Sequence, residues 1–380
     1  MRLKVQNFVC LKDVDVELND ITFFIGEQAS GKSLLCKLYF YFREILSNIL
    51  ERAIVENLDI NTYRIECFKA FGNIFPRELW EKQNFLLELI INEELIITVR
   101  QLLDEQILID TSPIFDRKFL SLKTDFMKEK QRAKIIEIDE VFLFRNIVAQ
   151  NLANDIFESV TYIPSGRAFF AAIADNLFAL TSQNIEIDTF LKSFGKNYEA
   201  AKNAKIRPMD EVSRLMRSIL KGDILIDKKT AWLVSQDIPR TLGYTSSGQQ
   251  EALPLLLVLC HLMDLSVLWG SHSIVIEEPE AHLFPTAQKA IVDLLFYVRH
   301  YGQSKRLLVT THSPYILSCA NNALLKNPDI KVNAYYLANG TAKCIMDDEV
   351  GLIDGIDLDG VSYQIAEEFD ELLAKSDNHG

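Results

Sequence analysis

Apolar and polar positions alternate near the start of the chain, over residues 3–8 and 14–19, and residues 21–25 are then almost entirely apolar. A period of two is typical of strands with one buried face, and a short apolar run is typical of a central strand. Residues 33–56 carry apolar positions at helical spacing. The pattern predicts an N-terminal antiparallel β-meander that leads directly into a long helix.

The last third of the chain predicts helices and strands in strict alternation. Such alternation is typical of a parallel sheet covered by helices on both faces, so we expect an α/β fold with a mixed sheet core. The expected elements are a helix at 249–269, a strand at 273–277, a helix at 285–300, a strand at 306–311, a helix at 313–319, a hairpin at 332–337 and 342–346, and an acidic helix near 361–375.

The middle of the chain has a different pattern and predicts an α-rich insertion. Its expected elements are a hairpin at 85–91 and 95–99, helices within 116–155, a strand at 160–163, helices within 168–220 and a hairpin at 223–227 and 231–235. We expect one domain assembled from residues 1–57 and 223–380. The insertion is expected at 58–222, and within it residues 158–170 are expected to return to the core.

The residues between the third strand and the first helix have the order GxxxxGK[ST], from Gly26 to Ser33. With this spacing, backbone N–H groups wrap around a β-phosphate, Lys32 reaches the β- and γ-phosphate oxygens, and the Ser33 hydroxyl meets Mg²⁺. The order therefore predicts a nucleotide site. Its expected nucleotide-binding positions are Gly26, Gln28, Ala29, Ser30, Gly31, Lys32, Ser33 and Leu34.

The strand expected at 273–277 ends in two acids, Glu277 and Glu278. A phosphate loop needs a distant carboxylate near its metal, and Glu277 is predicted to hold Mg²⁺ through the water shell of the ion. Glu278 is predicted to be the general base for the water that attacks the γ-phosphate.

Two further segments are candidates for phosphate contacts. Residues 243–251 precede an apolar helix, where Ser246 and the first N–H groups either bind an anion or simply cap the helix. His312 follows the last expected parallel strand, where it either hydrogen-bonds a γ-phosphate or has a structural role. Neither segment identifies a function by itself.

Together these motifs resemble the ABC-type ATPases of the SMC, RecF and OLD branch. The phosphate loop (Walker A), a signature-like segment at 245–250, the acidic strand 274–278 (Walker B) and the switch histidine His312 follow in the same order. The phrases at 276–283 and 311–314 are especially similar to OLD proteins and to stand-alone ATPase subunits of bacterial anti-phage systems of the PARIS, Septu or retron-linked type. The resemblance implies an ABC-type P-loop fold that uses ATP and Mg²⁺.

The resemblance also implies a homodimer in which the signature of one copy closes over the phosphate loop of the other. Ser247 and Thr245 stand where the family signature usually has Gly and Leu. The loop at 281–283 would lie at the interface. The implied roles are catalysis by Lys32, Glu278 and His312, metal binding by Ser33 and Glu277, and nucleotide contacts from Ser246, Ser247, Gly248 and Gln249 and from Arg167 in the strand-loop-Arg segment 162–167.

Composition narrows the setting of this predicted ATPase. The formal net charge of −13 disfavours nonspecific attraction to nucleic acid. Basic residues concentrate at 117–134 and 192–207, where interspersed acids favour a solvated helical face. The six cysteines form no CxxC pair, and the longest apolar stretch, 252–269, is interrupted by polar residues. We expect a cytoplasmic protein with no membrane partner.

OLD nucleases carry a metal-dependent Toprim nuclease domain after the ATPase, and the residues after Ser313 are too few for one. We therefore expect a nucleotide-driven switch or sensor that controls a partner effector, a nuclease or toxin, in anti-phage defence. The alternative is a RecF- or SMC-like DNA-binding ATPase of DNA repair or recombination.

Overall fold

The computed structural model describes residues 1–101, 107–132, 139–150, 156–170, 188–204, 208–227, 230–269, 272–302, 304–354 and 367–369. The acidic helix expected near 361–375 lies outside these residues except for a helical stretch at 367–369. The same holds for residues 171–187 of the helical region expected at 168–220.

Fourteen strands in the described ranges form one large sheet and one small sheet. They are β1 (Arg2–Phe8), β2 (Leu11–Glu17), β3 (Ile21–Gly26), β4 (Phe85–Ile90), β5 (Ile96–Gln101), β6 (Leu108–Thr111), β7 (Ser159–Ile163), β8 (Asp223–Asp227), β9 (Thr230–Ser235), β10 (Ile238–Thr241), β11 (His272–Glu277), β12 (Ser304–Thr311), β13 (Val332–Ala338) and β14 (Thr341–Cys344). The large sheet has the order β6-β5-β4-β1-β2-β14-β13-β3-β12-β11-β7. Strands β13, β3, β12, β11 and β7 pair in parallel, and β6, β5, β4, β1 and β2 form an antiparallel wing. The mixed α/β fold expected from the sequence is confirmed.

Helices cover this sheet. Those of the last third begin within two residues of their expected starts, whereas the one expected at 313–319 ends seven residues later and the helix at Ile60–Ile74 was not among the expected elements. The helices are α1 (Lys32–Glu44), α2 (Leu50–Val55), α3 (Ile60–Ile74), α4 (Pro113–Arg132), α5 (Glu140–Gln150), α6 (Thr189–Asn203), α7 (Asp210–Leu220), α8 (Ser247–Trp269), α9 (Pro285–Tyr301) and α10 (Pro314–Lys326). A π-helical turn at Ile45–Ile49 joins α1 to α2. The Ser47 hydroxyl in this turn donates to the carbonyl of Arg43 in α1 at 2.7 Å. None of the helices described is long and apolar enough to cross a membrane.

Both faces of the parallel strands are buried. In β3, Phe24 packs into a core that includes residues of α1 and α3, whereas Phe23 packs on the other face with residues of α8, α9 and α10. Val275 and Ile276 of β11 divide between the same two cores. Because helices cover both faces, the central strands are apolar throughout instead of alternating.

Elements from the middle of the chain join both edges of the large sheet. The hairpin of β4 and β5 extends the wing, since β4 pairs with β1 and places Leu87 opposite Val5. At the other edge β7 pairs in parallel with β11. The division of the chain at residues 58 and 222 stays a prediction.

The small sheet contains one strand more than the expected hairpin. Strand β10 pairs with β9 at the edge of the order β10-β9-β8. Pro239 obscured this strand in the sequence, because proline lacks the N–H that a central strand needs and is tolerated at an edge.

Candidate functional site

The phosphate loop connects β3 to α1 and is enclosed by neighbouring strands. Gly26 has a φ of +154°, and a Cβ at this position would lie 2.2 Å from the carbonyl oxygen of Leu337. Gly31 has a φ of +99°, and a Cβ there would lie 2.5 Å from Cδ2 of Leu11. Both positions need glycine because a side chain would meet close neighbours in a conformation that disfavours it. The sheet therefore determines the path of the loop.

Lys32 is only 5% exposed and folds back over this loop. Its Nζ donates to the carbonyls of Gly26 and Glu27, each at 2.8 Å. Burial lowers the pKa of Lys32, and the carboxylates of Glu278 and Glu280 act against this shift. Strand β12 pairs in parallel with both β3 and β11, so the loop lies at the same edge of the sheet as the end of β11.

The start of α1 presents hydrogen-bond donors around the loop. Gly31 is the N-cap residue and supplies no side-chain hydrogen bond to the first amides of the helix. Of the predicted loop positions, Gln28, Ala29 and Ser33 are exposed, and Ser30 and Leu34 are partly buried. A helix start with a nearby hydroxyl is suited to an anion and its metal ion.

Glu277 ends β11, and its carboxylate accepts hydrogen bonds from β7 and from the loop that follows β7. The Tyr162 hydroxyl donates to Oε1 at 2.7 Å, and the backbone N–H of Ser165 donates to Oε2 at 3.1 Å. Burial, with the charge of Glu277, raises the pKa of Tyr162 well above its ordinary value, so the phenol remains a donor. Burial and then Glu277 also raise the pKa of the thiol of Cys36, which lies on α1.

Glu278 and His312 follow neighbouring parallel strands and meet between them. Oε1 of Glu278 lies 3.4 Å from Nε2 of His312, and the side chains are 36% and 38% exposed. The backbone of Glu278 has a φ of +42°, and its N–H donates to the carbonyl of Thr310 at 3.0 Å. A non-glycine residue in this left-handed region is uncommon and persists where surrounding contacts hold it.

Glu280 also belongs to this cluster, although the sequence interpretation missed it. Its Oε1 accepts hydrogen bonds from the Thr311 hydroxyl at 2.6 Å and from the His312 N–H at 2.9 Å. Its Oε2 is buried and has no hydrogen-bond partner among the described residues, and burial raises the pKa of this carboxyl. The available signal was the position of Glu280, two residues after Glu278 in the loop that follows the acidic strand.

The signature-like segment starts α8 with a reciprocal cap. The Ser246 N–H donates to Oε1 of Gln249 at 3.0 Å, and the Gln249 N–H donates to the Ser246 hydroxyl at 3.4 Å. Ser247 is exposed. A Cβ on Gly248 would lie 2.6 Å from the carbonyl oxygen of His282, so the helix start packs on the loop at 281–283. Within one chain Ser246 is thus a helix cap, and its contact with a nucleotide from a second copy stays a prediction.

Arg167 lies in the interior of the chain. Its side chain is completely buried, and its guanidinium donates to the backbone carbonyls of Pro164 at 2.8 Å, Glu277 at 2.7 Å and Glu278 at 2.9 Å. A carboxylate oxygen of Glu251 lies 3.4 Å from Nε. Four of the five N–H groups of the guanidinium are used inside the chain, and the predicted contact between Arg167 and a nucleotide or a second subunit stays a prediction.

The oxygen donors beside the loop fit a magnesium ion that is bound with a nucleotide. Magnesium keeps several waters and takes only one or two protein oxygens in addition to phosphate oxygens. The Ser33 hydroxyl and the Glu277 carboxylate are oxygen donors of this kind, on α1 and at the end of β11.

A family model described as an AAA ATPase domain matches residues 39–317, more than two thirds of the chain. The matched range begins within α1 and includes Arg167, the signature-like segment, Glu278 and His312. The chain belongs to the AAA ATPase domain family. This AAA ATPase domain protein is accordingly a nucleotide-binding ATPase. No curated protein matches it in sequence.

Solved structures similar to this AAA ATPase domain protein include SMC heads and a RecF protein. An SMC head bound to the C-winged helix domain of ScpA is 13% identical, with 92% of this chain and 97% of that chain covered and a TM-score of 0.47. The SMC head domain from Thermotoga maritima is 13% identical, with 90% and 97% covered and a TM-score of 0.42. The recombination mediator protein RecF of the RecFOR pathway is 11% identical, with 90% and 97% covered and a TM-score of 0.40. Similarities this remote assign no substrate or partner to this chain.

Proposed function

We propose that this ATPase is a nucleotide-driven switch. The γ-phosphate of its bound ATP lies between the phosphate loop and the Glu278–His312 pair. One observation carries the proposal: β12 pairs in parallel with both β3 and β11, so the loop after β3, His312 after β12 and Glu278 after β11 lie at one edge of the sheet, and Glu278 lies 3.4 Å from His312. A triphosphate on the loop therefore has a carboxylate and an imidazole beside its end, as water attack on phosphorus requires.

Each residue of this cluster has a separate task in the proposal. Lys32 exchanges its loop carbonyls for the β- and γ-phosphate oxygens. The Ser33 hydroxyl and Glu277 hold Mg²⁺, which neutralises phosphate charge when bound. Glu278 accepts the proton of the attacking water, and His312 donates a hydrogen bond to the γ-phosphate.

We propose that a second copy of the chain completes the site. Two exposed aromatic side chains flank the signature-like segment: Tyr244, 84% exposed, precedes it in sequence, and Phe284, 75% exposed, follows the loop at 281–283 on which Gly248 packs. Large aromatic side chains on a protein surface are typical anchors of an interface. In the closed dimer Ser246, Ser247, Gly248 and Gln249 face the nucleotide of the other copy.

Closing and opening of this dimer give two states that a partner can distinguish. The phrases at 276–283 and 311–314, with their similarity to ATPases of anti-phage systems, support a partner that is a nuclease or toxin in bacterial defence. Copurification of the chain with the products of its neighbouring genes, with stoichiometry measured by mass, tests this assignment. A complex that changes with the bound nucleotide supports it, and the absence of any complex contradicts it.

The alternative, an ATPase that clamps DNA, depends on the basic stretches. Within α4, Lys123 donates to the carbonyl of Leu58 at 2.8 Å, and Lys130 pairs with Glu140 at 2.6 Å. Such local pairing reduces the charge available to a phosphate backbone. Arg132 pairs with Glu129 at 2.5 Å, and Lys202 pairs with Glu199 at 2.6 Å. Three further basic residues of the two stretches, Lys134, Lys205 and Arg207, lie outside the described residues. Salt-sensitive DNA binding that requires ATP would favour this alternative.

The Glu278→Gln variant tests the switch directly. The amide cannot accept the proton of water, so we expect hydrolysis to fall by about 10²–10⁴-fold, while ATP binding persists and the closed dimer accumulates. Phosphate release and solution mass with ATP measure the two effects. Glu94→Gln, an exposed position between β4 and β5, is the matched control. Hydrolysis at the wild-type rate in Glu278→Gln would falsify the assignment of the base.

A further inference from the structure

Arg167 connects three segments that meet beneath the candidate base. Its NH1 donates to the carbonyls of Pro164 and Glu277, and its NH2 donates to the carbonyl of Glu278. Its Nε donates to the carbonyl of Glu251 in α8 at 3.0 Å. Each nitrogen of the guanidinium thus has an acceptor, and every one is a backbone oxygen.

The carboxylate of Glu251 fixes the other side of this connection. Glu251 is 4% exposed, and its two oxygens accept the N–H groups of Arg167 at 2.9 Å and of Ala168 at 3.0 Å. Glu251 lies one helical turn after Ser247, the first residue of α8. A displacement of the signature-like segment along with α8 therefore acts on the residues that contact Glu278.

We propose that Arg167 is a positioning residue that holds Glu278 in its left-handed backbone conformation, and that Glu251 transmits the position of the signature helix to it. The inference rests on the proposed function of Glu278 as general base. It adds a route by which closure of a second copy onto the signature-like segment controls the base.

The conformation of Glu278 supplies the physical reason. A φ of +42° at a residue with a side chain is strained and requires contacts on both sides of it. Thr310 accepts its N–H, and Arg167 donates to its carbonyl at 2.9 Å. The same carbonyl also accepts the N–H of Ala281 at 3.1 Å, a contact within the turn that Glu278 itself begins. Without the guanidinium the carbonyl keeps only this local contact and loses the one that ties it to the loop after β7 and to α8, so the carboxylate is held less firmly beside His312.

Arg167→Lys is the first test, since an ammonium cannot reproduce the planar set of donors that reaches several carbonyls at once. Misplacement of a catalytic group by about 1 Å costs on the order of 10²-fold in rate, so we expect kcat to fall by at least about 10-fold. KM for ATP should stay within about 3-fold, because Arg167 contacts no part of the nucleotide-binding loop.

Arg43→Lys is the matched control for the loss of a buried arginine. Arg43 is also completely buried and pairs with Glu158 at 3.0 Å, near the amino ends of β7 and β11 and away from the phosphate loop. We expect Arg43→Lys to lower the thermal midpoint without the same loss of kcat. Equal loss of kcat in both variants at equal loss of stability would overturn the positioning role.

A double-mutant cycle with Glu278→Gln identifies the route of the effect. If Arg167 acts through Glu278, adding Arg167→Lys to Glu278→Gln lowers kcat no further. If the two losses multiply, Arg167 does not act through Glu278 and the inference is wrong. A Glu278→Gln protein with unchanged kcat would instead contradict the proposed function, so the two failures can be told apart.

Glu251→Gln keeps the test decisive if Arg167→Lys does not fold. The amide oxygen still accepts one backbone N–H, whereas the ion pair with Arg167 and the second acceptor are lost. We expect a folded protein with kcat reduced by about 10-fold and ATP affinity unchanged. Wild-type kcat in this variant would overturn the connection between the signature helix and the base.

Discussion

Tyr162→Phe tests whether Glu277 holds the metal. The substitution removes one hydroxyl, which donates to Oε1 of Glu277 at 2.7 Å in a place where Tyr162 is 1% exposed and Glu277 is 5% exposed. The remaining partners of the carboxylate are the N–H and the hydroxyl of Ser165, at 3.1 and 3.5 Å. One oxygen of a buried carboxylate therefore loses its donor, and the carboxylate gains freedom to rotate.

Two magnitudes follow from this geometry. A hydrogen bond to a charged group contributes about 1.5–3 kcal/mol to stability, so the free energy of unfolding of Tyr162→Phe should be lower by that amount. Loss of a group that orients a metal ligand lowers metal affinity by about 10–100-fold. We expect the free Mg²⁺ concentration that gives half-maximal ATP hydrolysis to rise by a factor in this range.

The assay is steady-state phosphate release at fixed ATP across a range of free Mg²⁺, with Tyr39→Phe as the matched control. The Tyr39 hydroxyl is equally buried and lies 2.8 Å from the Ser273 hydroxyl at the other end of β11. Both variants should lose stability, and only Tyr162→Phe should change the Mg²⁺ dependence. An unchanged or lower Mg²⁺ requirement in Tyr162→Phe would refute the role of Glu277.

Three other outcomes are expected. Lys32→Ala removes the buried ammonium of the loop. Loss of a charge partner costs about 2 kcal/mol or more, so ATP binding should weaken by at least about 30-fold. Titration with a fluorescent ATP analogue measures the affinity, and normal affinity would contradict the proposed nucleotide site. Phe284→Ala should weaken the ATP-dependent dimer by about 2 kcal/mol or more in solution mass measurements, and Leu325→Ala, an exposed apolar control on α10, should not. Burial lowers the pKa of His272 to about 4, and its Nε2 has no partner in the described part of the chain. In the unfolded chain His272 takes up a proton as the pH falls below its ordinary pKa of 6.5, whereas in the folded chain it stays neutral down to about 4. The free energy of unfolding therefore decreases as the pH falls below 6.5, by about 2 kcal/mol at pH 5. Denaturant midpoints of His272→Asn should lose this part of the pH dependence, and an unaltered dependence would show that His272 is not its source.

Local patterns were sufficient for the fold class and for the order of the central elements. Strand β3 and helix α1 are adjacent in sequence, and their spacing needs only the residues from 21 to 44. The alternation from 247 to 326 indicated buried parallel strands because helices hide both faces of such strands. The family match agrees with the ATPase predicted from these motifs.

The position of Arg167 shows where local patterns end. An arginine in a loop after a strand is compatible with a nucleotide contact or with a buried structural role, and the local sequence does not distinguish the two. Its acceptors at 164, 251, 277 and 278 are distributed over more than 100 residues of sequence. Only their meeting in space shows that the guanidinium is buried, with four of its five N–H groups bound within the chain.

The sequence by itself determined the phosphate loop, the acidic strand end and the alternating strands and helices of the last third, because each depends on neighbours within one or two turns of chain. The tertiary structure alone decided that the Tyr162 hydroxyl holds Glu277, that Glu280 supports His312, and that the 85–101 hairpin extends the sheet beside β1. The two side-chain contacts join residues that are 115 and 32 positions apart in the sequence. The hydrophobic pattern of the hairpin does not specify which other strand it pairs with. The physical cause of these contacts is the packing of the complete chain, in which a buried polar group takes the donor or acceptor that the fold brings to it.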